Sequence, residues 1–285
     1  MIGADGQLGS DLCRVISPEE LIPLTIKELD ITKREAVHAV IKKHQPDAVI
    51  NTAAFHHVDK CEDAEETAFA VNAIGSKHVA EACKEIGSAL VYISTDYVFD
   101  GEKETPYVET DVSNPQSVYA ISKLAGEQCV KYMLDKYFIV RSSGLYGTAG
   151  CMGKGGGNFV ENMLARAKAQ PFLKVVTDEV LCPTYTFDLA GKINELVRTQ
   201  RYGTYHAVNH GSCSWYEFTC KIFELLGRAV AVHKTTGDEF KTKAKRPKYS
   251  VLKNAALDKI GLDDMRSWQE AIEAYLIEKG HLKSV

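Results

Sequence analysis

A tyrosine and a lysine four positions apart, Tyr119 and Lys123, are the side chains of this sequence best suited to proton transfer. In a helix this spacing places both side chains on the same face. A phenol has an ordinary pKa of about 10, and a neighbouring ammonium group lowers that pKa by favouring the phenolate. The pair therefore predicts proton exchange with an alcohol or a ketone near neutral pH, with Tyr119 as the acid or base.

A hydroxyl group lies upstream of this pair, at the end of an apolar run. Residues 89–94 are predicted to form a buried strand, and Thr95 follows that strand directly. In an open α/β sheet, ligands bind outside the carboxyl ends of the strands. Thr95 is therefore expected to hold the substrate oxygen that Tyr119 serves.

The start of the chain carries the glycines of a phosphate-binding turn. Gly3, Gly6 and Gly9 are spaced G-x-x-G-x-x-G, and a helix-like segment at 8–16 follows them. Such glycines allow a tight turn and a close approach to a pyrophosphate, which the helix N-terminus then faces. Only two residues precede Gly3, where a strand usually supplies about five, so we expect a first strand that is truncated or begins upstream.

The choice of dinucleotide depends on the end of the second predicted strand, at 21–25. Asp30 is too far beyond that strand to sit at its tip and bind the ribose, so we expect it at the adenine edge. The tip, at 25–27, has no carboxylate to repel a 2′-phosphate, and Lys27 would attract one. These residues favour NADPH, although a solvated surface lysine explains Lys27 equally well.

Strand-like and helix-like segments alternate up to about residue 145. Apolar runs without alternation are typical of strands buried on both faces of a parallel sheet; they lie at 21–25, 47–51, 89–94 and 138–141. Helices are predicted at 32–44, 67–86 and 119–137, the first with a capping box formed by Thr32 and Glu35. This alternation indicates an α/β fold with a doubly wound parallel sheet.

The second half of the chain has a different character. A glycine-rich stretch at 144–157 is predicted to be a mobile loop. Helices are predicted at 158–170, 186–200, 214–227 and 268–279. We therefore expect a dinucleotide-binding core at 1–145, and at 146–285 a mixed segment that returns to the core and forms a smaller substrate-binding lobe.

The composition excludes several classes of protein. The 285 residues are 45% hydrophobic and 25% charged, which is ordinary for a globular chain of one large or two modest domains. A net charge of −4 does not indicate a nucleic-acid partner, and no apolar run reaches the roughly 18 residues of a membrane span. The eight cysteines form no C-x-x-C pair, so we expect reduced thiols and a cytoplasmic protein.

Further short motifs accompany the glycine turn and the Tyr119–Lys123 pair. They occupy residues 29–32, 49–54, 58–62, 71–73, 94–101 and 183–185. Together the motifs resemble the extended short-chain dehydrogenase/reductase superfamily and, within it, the dTDP-4-dehydrorhamnose reductase family, from Gly3 to about Leu276. The resemblance implies a Rossmann-like sheet with a small C-terminal substrate lobe.

The same resemblance implies hydride transfer from NADPH or NADH to the C4 ketone of a dTDP-4-dehydro-sugar. Tyr119 would donate the proton, Lys123 would tune it and bind the nicotinamide ribose, and Thr95 would align the ketone. The residues expected near the sugar are Val58, Asp96 and Tyr97, and those nearer the nucleotide are Asn158 and Arg246. The expected cofactor-binding residues, besides Tyr119 and Lys123, are Gly3, Gly6, Gln7, Leu8, Asp30, Ile31, Ala53, Ala54, Phe55 and Asn72.

Some positions depart from the family pattern. Gly144 stands where the family usually carries a tryptophan that packs on the substrate, which implies a wider pocket. Phe55 replaces a common tyrosine, and residues 180–182 also differ from the usual loop. His56 and His57 replace smaller residues; adjacent side chains in an extended segment point apart, so no metal site is expected there.

Two other functions stay open at this stage. One is a related epimerase or dehydratase that acts on another sugar nucleotide; a dehydratase needs an extra acid beside Tyr119, for which Asp96 is the candidate. A non-catalytic protein on the same fold, such as the regulatory subunit of methionine adenosyltransferase, would show no turnover. In the leading interpretation the partner is a nucleotide sugar, with no nucleic acid and no membrane, and a homodimer is left open.

Overall fold

The computed structural model describes residues 1–150, 156–240 and 242–283. Its α-helices are α1 (Gln7–Val15), α2 (Arg34–His44), α3 (Val58–Asp63), α4 (Glu65–Phe69), α5 (Ser76–Ile86), α6 (Val118–Met133), α7 (Phe159–Ala169), α8 (Thr186–Val197), α9 (Trp215–Leu225), α10 (Ala255–Lys259) and α11 (Trp268–Glu278). Its strands are β1 (Ala48–Asn51), β2 (Ala89–Thr95), β3 (Tyr137–Ser142), β4 (Leu145–Tyr146), β5 (Phe172–Val176), β6 (Val180–Leu181), β7 (Thr184–Tyr185), β8 (Gly203–His206), β9 (Cys213–Ser214) and β10 (Ala231–Thr235). A π-helical turn (Ala70–Gly75) joins α4 to α5.

A parallel sheet forms the centre of the molecule. Its strands are hydrogen-bonded in the order β1-β2-β3-β8, and every pair is parallel. All seven residues of β2 are buried, as a strand covered on both faces requires. Helices α1 and α8 pack together, as do α2, α5 and α6. The predicted α/β class and the strands predicted at 47–51, 89–94 and 138–141 are confirmed.

Short pairings extend this sheet beyond β1. Ile2 forms parallel bridges both to the end of β1 and to Leu24. The N–H of Ile2 donates to the carbonyl of Ile50 at 2.9 Å, and the N–H of Leu24 donates to the carbonyl of Met1 at 2.9 Å. The first residues therefore occupy the place between Leu24 and β1, directly before the glycine turn. The strand predicted at 21–25 is reduced to this single bridge.

Helix α2 begins later than the sequence pattern predicts, and the predicted capping box is wrong. The helix begins at Arg34, with Lys33 as its N-cap and no side-chain cap. The N–H and the hydroxyl of Thr32 donate instead to Asp30 Oδ1, at 2.9 and 2.7 Å. This local turn satisfies Thr32 before the helix starts, so its hydroxyl cannot cap the helix.

The later residues contribute to the main sheet and to several small ones. Strand β8 joins the edge of the main sheet, whereas β5 pairs with β10, β4 with β7, and β6 with β9. The buried core of this part is rich in aromatic rings: Tyr146, Tyr185, Phe218, Trp268 and Tyr275. The four helices predicted after residue 158 are confirmed as α7, α8, α9 and α11.

The predicted mobile loop at 144–157 is shorter than expected at its start. Residues 145–146 form β4, which pairs in parallel with β7. Residues 151–155 lie outside the described residues. Within the described part of the chain, no helix combines the length and the apolar composition that crossing a membrane would require.

Candidate active site

Helix α6 lies beside the end of β2 and brings the three predicted catalytic side chains together. The helix begins after Ser117, whose hydroxyl accepts from the N–H of Ala120 and caps it. The Tyr119 phenol lies near enough to the Thr95 hydroxyl for that hydroxyl to lower its pKa. One turn later, the ammonium group of Lys123 donates to the carbonyl at position 93 of β2 at 2.6 Å. A phenol, a hydroxyl and a lysine thus meet at the carboxyl end of a central strand.

Burial raises the pKa of the Tyr119 phenol, whereas the sequence predicted that it would be lowered. The pKa of Tyr119 is raised, first by burial and then by the charges of Asp96 and Cys61, while the hydrogen bond with Thr95 lowers it. Burial lowers the pKa of Lys123 to about 7. The expectation that Lys123 lowers the pKa of Tyr119 is therefore wrong for the protein alone. The phenol keeps its proton, as an acid that protonates a reduced ketone must.

A third residue on the same face of α6 was not predicted. Glu127 lies four positions after Lys123 and is fully buried. It accepts from Ser94 Oγ at 2.6 Å and from Arg141 Nε and Nη2 at 2.9 and 2.7 Å. Its negative charge raises the pKa of Lys123 and so opposes the effect of burial. The spacing of positions 119, 123 and 127 could have revealed this residue, since it repeats one helix face.

Asp96 follows Thr95 but bonds to protein hydroxyls. It is 3% exposed. Its Oδ1 accepts from Thr95 Oγ1 at 3.0 Å, and its Oδ2 accepts from Ser143 Oγ at 2.8 Å and Ser250 Oγ at 2.5 Å. Burial raises the pKa of this carboxyl, and the three hydroxyl groups lower it. These three bonds leave one acceptor position on Oδ1 for the expected contact between Asp96 and a sugar.

The glycine turn has the close packing that a dinucleotide site needs. Gly3 has a φ of +84°, and a Cβ there would lie 2.5 Å from Thr52 Oγ1. A Cβ on Gly9 would lie 2.1 Å from the carbonyl oxygen of Gly3. Gly6 is the N-cap of α1, and no side chain caps the helix. A helix N-terminus without a side-chain cap, reached through a tight glycine turn, fits a pyrophosphate.

The side chains of this turn bond or pack within the protein, whereas its backbone is free to face a phosphate. Gln7 Oε1 accepts from the N–H of Gly147 at 3.0 Å, which joins the turn to the later part of the chain. Leu8 and Ile31 are 5% and 2% exposed and belong to the apolar core. Leu8 and Ile31 can therefore reach a cofactor mainly through their backbone atoms.

Asn72, on the π-helical turn, holds the segment that follows β1. Its Oδ1 accepts from the N–H of Phe55 at 2.9 Å, and its Nδ2 donates to the carbonyl of Phe55 at 3.0 Å and to Ser122 Oγ at 2.9 Å. Ala53 is held in turn by Asn51, whose Oδ1 accepts from the Ala53 N–H at 3.1 Å. Residues 53–55 are thus fastened to the helix that carries Tyr119.

A carboxylate that was not predicted lies just after Leu24, at the end of the segment predicted as a strand at 21–25. Glu28 Oε2 accepts from the N–H of Thr25 at 2.8 Å and also from its hydroxyl. These bonds lower the pKa of Glu28 and keep it ionised. The expectation that this tip has no carboxylate is therefore wrong, because a turn brings Glu28 back to it. Lys27 is exposed beside it.

A cleft of about 580 Å³ is lined by Glu179 and Arg246, two residues whose charges act on Tyr97, although Tyr97 itself is not part of the lining. The Tyr97 ring lies 6.2 Å from that of Tyr119, edge to face. Burial and then the charges of Asp96 and Glu179 raise the pKa of Tyr97, and Arg246 lowers it. Arg246 Nη2 bonds Asp59 Oδ2 at 3.0 Å, next to Val58 at the start of α3. Arg246 and Glu179 line the cleft, although Thr95, Tyr119 and Lys123 do not. The other lining residues are Asp100, Gly101, Glu102, Asp178, Gly237, Asp238, Phe240, Thr242, Lys243, Ala244, Lys245 and Lys248.

The side chain of Asn158 is bonded to other parts of the protein. Its Oδ1 accepts from the N–H of Glu161, so it caps α7. Its Nδ2 donates to the carbonyl of Gly147 at 2.8 Å and to the Tyr275 hydroxyl at 3.0 Å. Both ends of the amide are thus bonded to the protein, and the structure does not bring Asn158 to the Tyr119 group.

Gly144 has a backbone conformation and close neighbours that a residue with a side chain would not easily accept. Its φ is +55°, and a Cβ there would lie 2.6 Å from Leu181 Cδ1 and 3.1 Å from Pro183 Cα. The departures from the family pattern at Gly144 and at 180–182 therefore lie in contact with each other. The side chain of Leu181 packs against the bare backbone of Gly144.

Comparisons with known proteins agree with one another. Residues 1–280 match the family described as RmlD substrate binding domain. The chain is 40% identical to the spore coat polysaccharide biosynthesis protein SpsK of Bacillus subtilis, over 97% of this chain and 96% of that protein. A crystal structure of a dTDP-4-dehydrorhamnose reductase from Clostridium acetobutylicum is 44% identical, covers 96% of both chains and has a TM-score of 0.92. Another, from Bacillus anthracis in complex with NADP, is 43% identical, covers 97% of both chains and has a TM-score of 0.92.

Proposed function

The chain belongs to the RmlD substrate binding domain family, and we propose that it is an oxidoreductase that reduces the C4 ketone of dTDP-4-dehydro-L-rhamnose with NADPH or NADH. The observation that carries this proposal is the meeting of Thr95, Tyr119 and Lys123 at the end of β2. The relatives described as dTDP-4-dehydrorhamnose reductases support the substrate.

The glycine turn is the proposed seat of the dinucleotide. Gly3, Gly6 and the backbone of Gln7 and Leu8 would face the pyrophosphate, and residues 53–55 would line the cleft beside the nicotinamide. The bound cofactor supplies the hydride. The missing Cβ atoms of Gly3 and Gly9 support this assignment, since they allow the tight turn and the close packing against Thr52 that such a phosphate-binding loop needs.

Tyr119 is the proposed acid. A raised pKa keeps the phenol protonated, so it can donate its proton to the C4 oxygen as negative charge develops there. Lys123 would stay beside it and bind the nicotinamide ribose. Thr95 completes the group by fixing the position of the phenol.

The cleft beside Tyr97 is the proposed site of the nucleotide sugar. The lining is of mixed charge: Arg246, Lys243, Lys245 and Lys248 stand against Asp100, Glu102, Asp178, Glu179 and Asp238. Arg246 and Lys243 are paired with Asp59 and Asp63, so Lys245 and Lys248 are the cations of the lining without an ion pair among the described residues. The cations of this lining are the groups that would pair with the diphosphate joining the sugar to its base. Tyr97 and Val58 would meet the sugar between this charge and Tyr119.

We propose residues 1–145 as the dinucleotide-binding core and 146–285 as the segment that returns to it and adds the substrate lobe. Strand β8, which joins the main sheet from within the second segment, supports this division. Cysteines with free thiols support a reducing compartment, the cytoplasm. Exposed apolar side chains on helices that touch each other, Phe69 and Ile121, support a homodimer, which sedimentation would test.

The direct test is to follow the oxidation of NADPH and of NADH with dTDP-4-dehydro-L-rhamnose as substrate. Turnover that yields dTDP-L-rhamnose is the expected result. A folded protein that binds the dinucleotide but turns over no 4-keto sugar would contradict the proposal and favour a regulatory subunit. Conversion without net oxidation of the cofactor would favour an epimerase or a dehydratase.

A further inference from the structure

The ammonium group of Lys123 lies over the face of the Tyr92 ring. Its nitrogen is 4.1 Å from the centre of that ring. Both residues are buried, so little water competes for the charge. The negative face of an aromatic ring attracts a cation, and the attraction is stronger when both groups are removed from water. The Tyr92 ring therefore stabilises the charged form of the lysine that is proposed to bind the nicotinamide ribose.

The ring holds the charge of Lys123 but leaves protons of its ammonium group for a ligand. An ammonium group has three protons to donate. Within the described part of the chain, the carbonyl of Ile93 is the acceptor that receives one of them, at 2.6 Å. A carboxylate in the place of the ring would also attract the charge, but its oxygens would accept more of these protons. An aromatic partner therefore suits a lysine that must still bind the hydroxyl groups of a ribose.

The Tyr92 hydroxyl keeps the ring in this position. Its oxygen lies 3.1 Å from the carbonyl oxygen of Asn72 and 3.1 Å from that of Lys123 itself, so it bridges the π-helical turn and α6. Burial raises the pKa of Tyr92, so the phenol keeps the proton that it donates. Gly126 makes room for this arrangement, since a Cβ there would lie 2.3 Å from the Tyr92 hydroxyl oxygen.

We propose that Tyr92 is a positioning residue whose ring face keeps the Lys123 ammonium group charged and in place for the nicotinamide ribose and for Tyr119. The inference rests on the proposed function, because the place of Lys123 matters for turnover only if Lys123 binds the cofactor beside the acid. Lys123 and Tyr119 lie one turn apart on α6. A lysine that turned away from the ring would therefore leave both the ribose and the phenol.

The test compares Tyr92→Phe, which keeps the ring, with Tyr92→Leu, which removes it. Tyr92→Leu should lower kcat about tenfold or more, which corresponds to the loss of a buried cation–π interaction. Tyr92→Phe should stay within about threefold of the wild type, because its ring still faces the ammonium group. Phe138→Leu is the matched control, since Phe138 is a fully buried ring on the neighbouring strand β3 and packs in a different cluster of the core.

A pH profile separates this role from a general loss of packing. Among the described residues, the titratable and charged groups around the Lys123 ammonium are Tyr92 on β2, and Tyr119 and Glu127 on α6, with Arg141 of β3 bonded to Glu127. Burial lowers the pKa of Lys123 and Glu127 raises it. Because the ring favours the ammonium form, removing the ring should lower this pKa further. The alkaline limit of the reduction should therefore move about one pH unit lower in Tyr92→Leu and stay in place in the other two variants.

An NMR measurement gives an answer that needs neither turnover nor a folded Tyr92→Leu. Protons that lie over the face of an aromatic ring resonate upfield of their usual position, because the ring current shields them. The ε-methylene protons of Lys123 should show this shift in the wild type and in Tyr92→Phe, in protein labelled at lysine and assigned with Lys123→Met. Ordinary chemical shifts in the wild type would contradict the proposal.

The outcomes distinguish the two proposals. Wild-type protein that shows the upfield shift but does not reduce the keto sugar supports the contact between Tyr92 and Lys123 and contradicts the proposed function alone. Active wild type, with equal losses of kcat and the same alkaline limit in Tyr92→Leu and Phe138→Leu, overturns the role of Tyr92 alone. A loss in Tyr92→Phe as large as that in Tyr92→Leu would assign the effect to the hydroxyl and overturn the role of the ring.

Discussion

The ammonium nitrogen of Lys123 lies 2.6 Å from the carbonyl oxygen of Ile93, so helix α6 is fastened to the strand that ends at Thr95. A second bond follows on the next turn, where Ser94 donates to Glu127 at 2.6 Å. Two successive turns of one helix face are thus joined to two adjacent residues of β2, directly before Thr95. The active-site geometry therefore depends on these buried bonds between α6 and β2 as well as on the groups that would touch substrate.

Replacing the proposed acid gives the first prediction. Tyr119→Phe should lower kcat by about 10²-fold or more, which is the usual contribution of a general acid. The control is Tyr132→Phe, because Tyr132 lies on the same helix and is 83% exposed. Steady-state oxidation of the reduced nicotinamide measures both variants. A loss below about threefold for Tyr119→Phe would assign the proton to another group.

The buried ion pair behind Lys123 gives the second prediction. Glu127→Gln should lower the free energy of unfolding by about 3 kcal/mol or more, because it leaves the Arg141 guanidinium buried without a counter-charge. Glu20→Gln is the matched control; it breaks an exposed pair with Arg198 and should cost less than about 1 kcal/mol. Urea denaturation measures both. Equal losses would show that the buried pair contributes no more than a surface pair.

The turn formed by Thr25 and Glu28 gives the third prediction, which concerns the choice between NADPH and NADH. Glu28→Gln should improve the kcat/KM for NADPH relative to NADH by about threefold or more, since the carboxylate repels a 2′-phosphate. Lys27→Ala should change the same ratio in the opposite direction if Lys27 attracts that phosphate. The ratio of the two specificity constants is the measurement. If neither variant changes it, both residues belong to the solvated surface.

A buried histidine gives the fourth prediction, on stability against pH. His206 is fully buried, and burial lowers its pKa to about 3. An unfolded histidine has a pKa of about 6.5, so between these values the unfolded chain binds a proton that the folded chain does not. The unfolding free energy should therefore fall as the pH drops below about 6.5, by about 2–3 kcal/mol at pH 4.5 from this residue.

The variant that checks this effect is His206→Asn. An amide can replace Nδ1, which lies 3.1 Å from the carbonyl oxygen of Lys253, but does not titrate in this range. The variant should lose less stability than the wild type between neutral pH and pH 4.5. Parallel pH dependences for the two proteins would assign the acid sensitivity to carboxylates.

Local pattern was enough to predict most of the secondary structure and the reacting group. The apolar runs predicted β1, β2 and β3 because a strand buried on both faces needs no alternation. The spacing of Tyr119 and Lys123 predicted one helix face because an α-helix repeats about every four residues. The glycine turn, Thr95 and the pair of Tyr119 and Lys123, which follow one another in this order along the chain, indicated the family, and the comparisons confirm it.

The tertiary structure decided which partners each side chain bonds and how deeply it is buried. Asp96 turns to Ser143 and Ser250, and the second of these is 154 positions away in the chain. Glu28 returns to the tip of its strand, and burial reverses the expected pKa shift of Tyr119. The sequence by itself determined which groups are present and which local elements carry them. Only the packed structure decided which of them face each other and how far they are removed from water, because hydrogen-bond partners and desolvation come from residues distant in sequence.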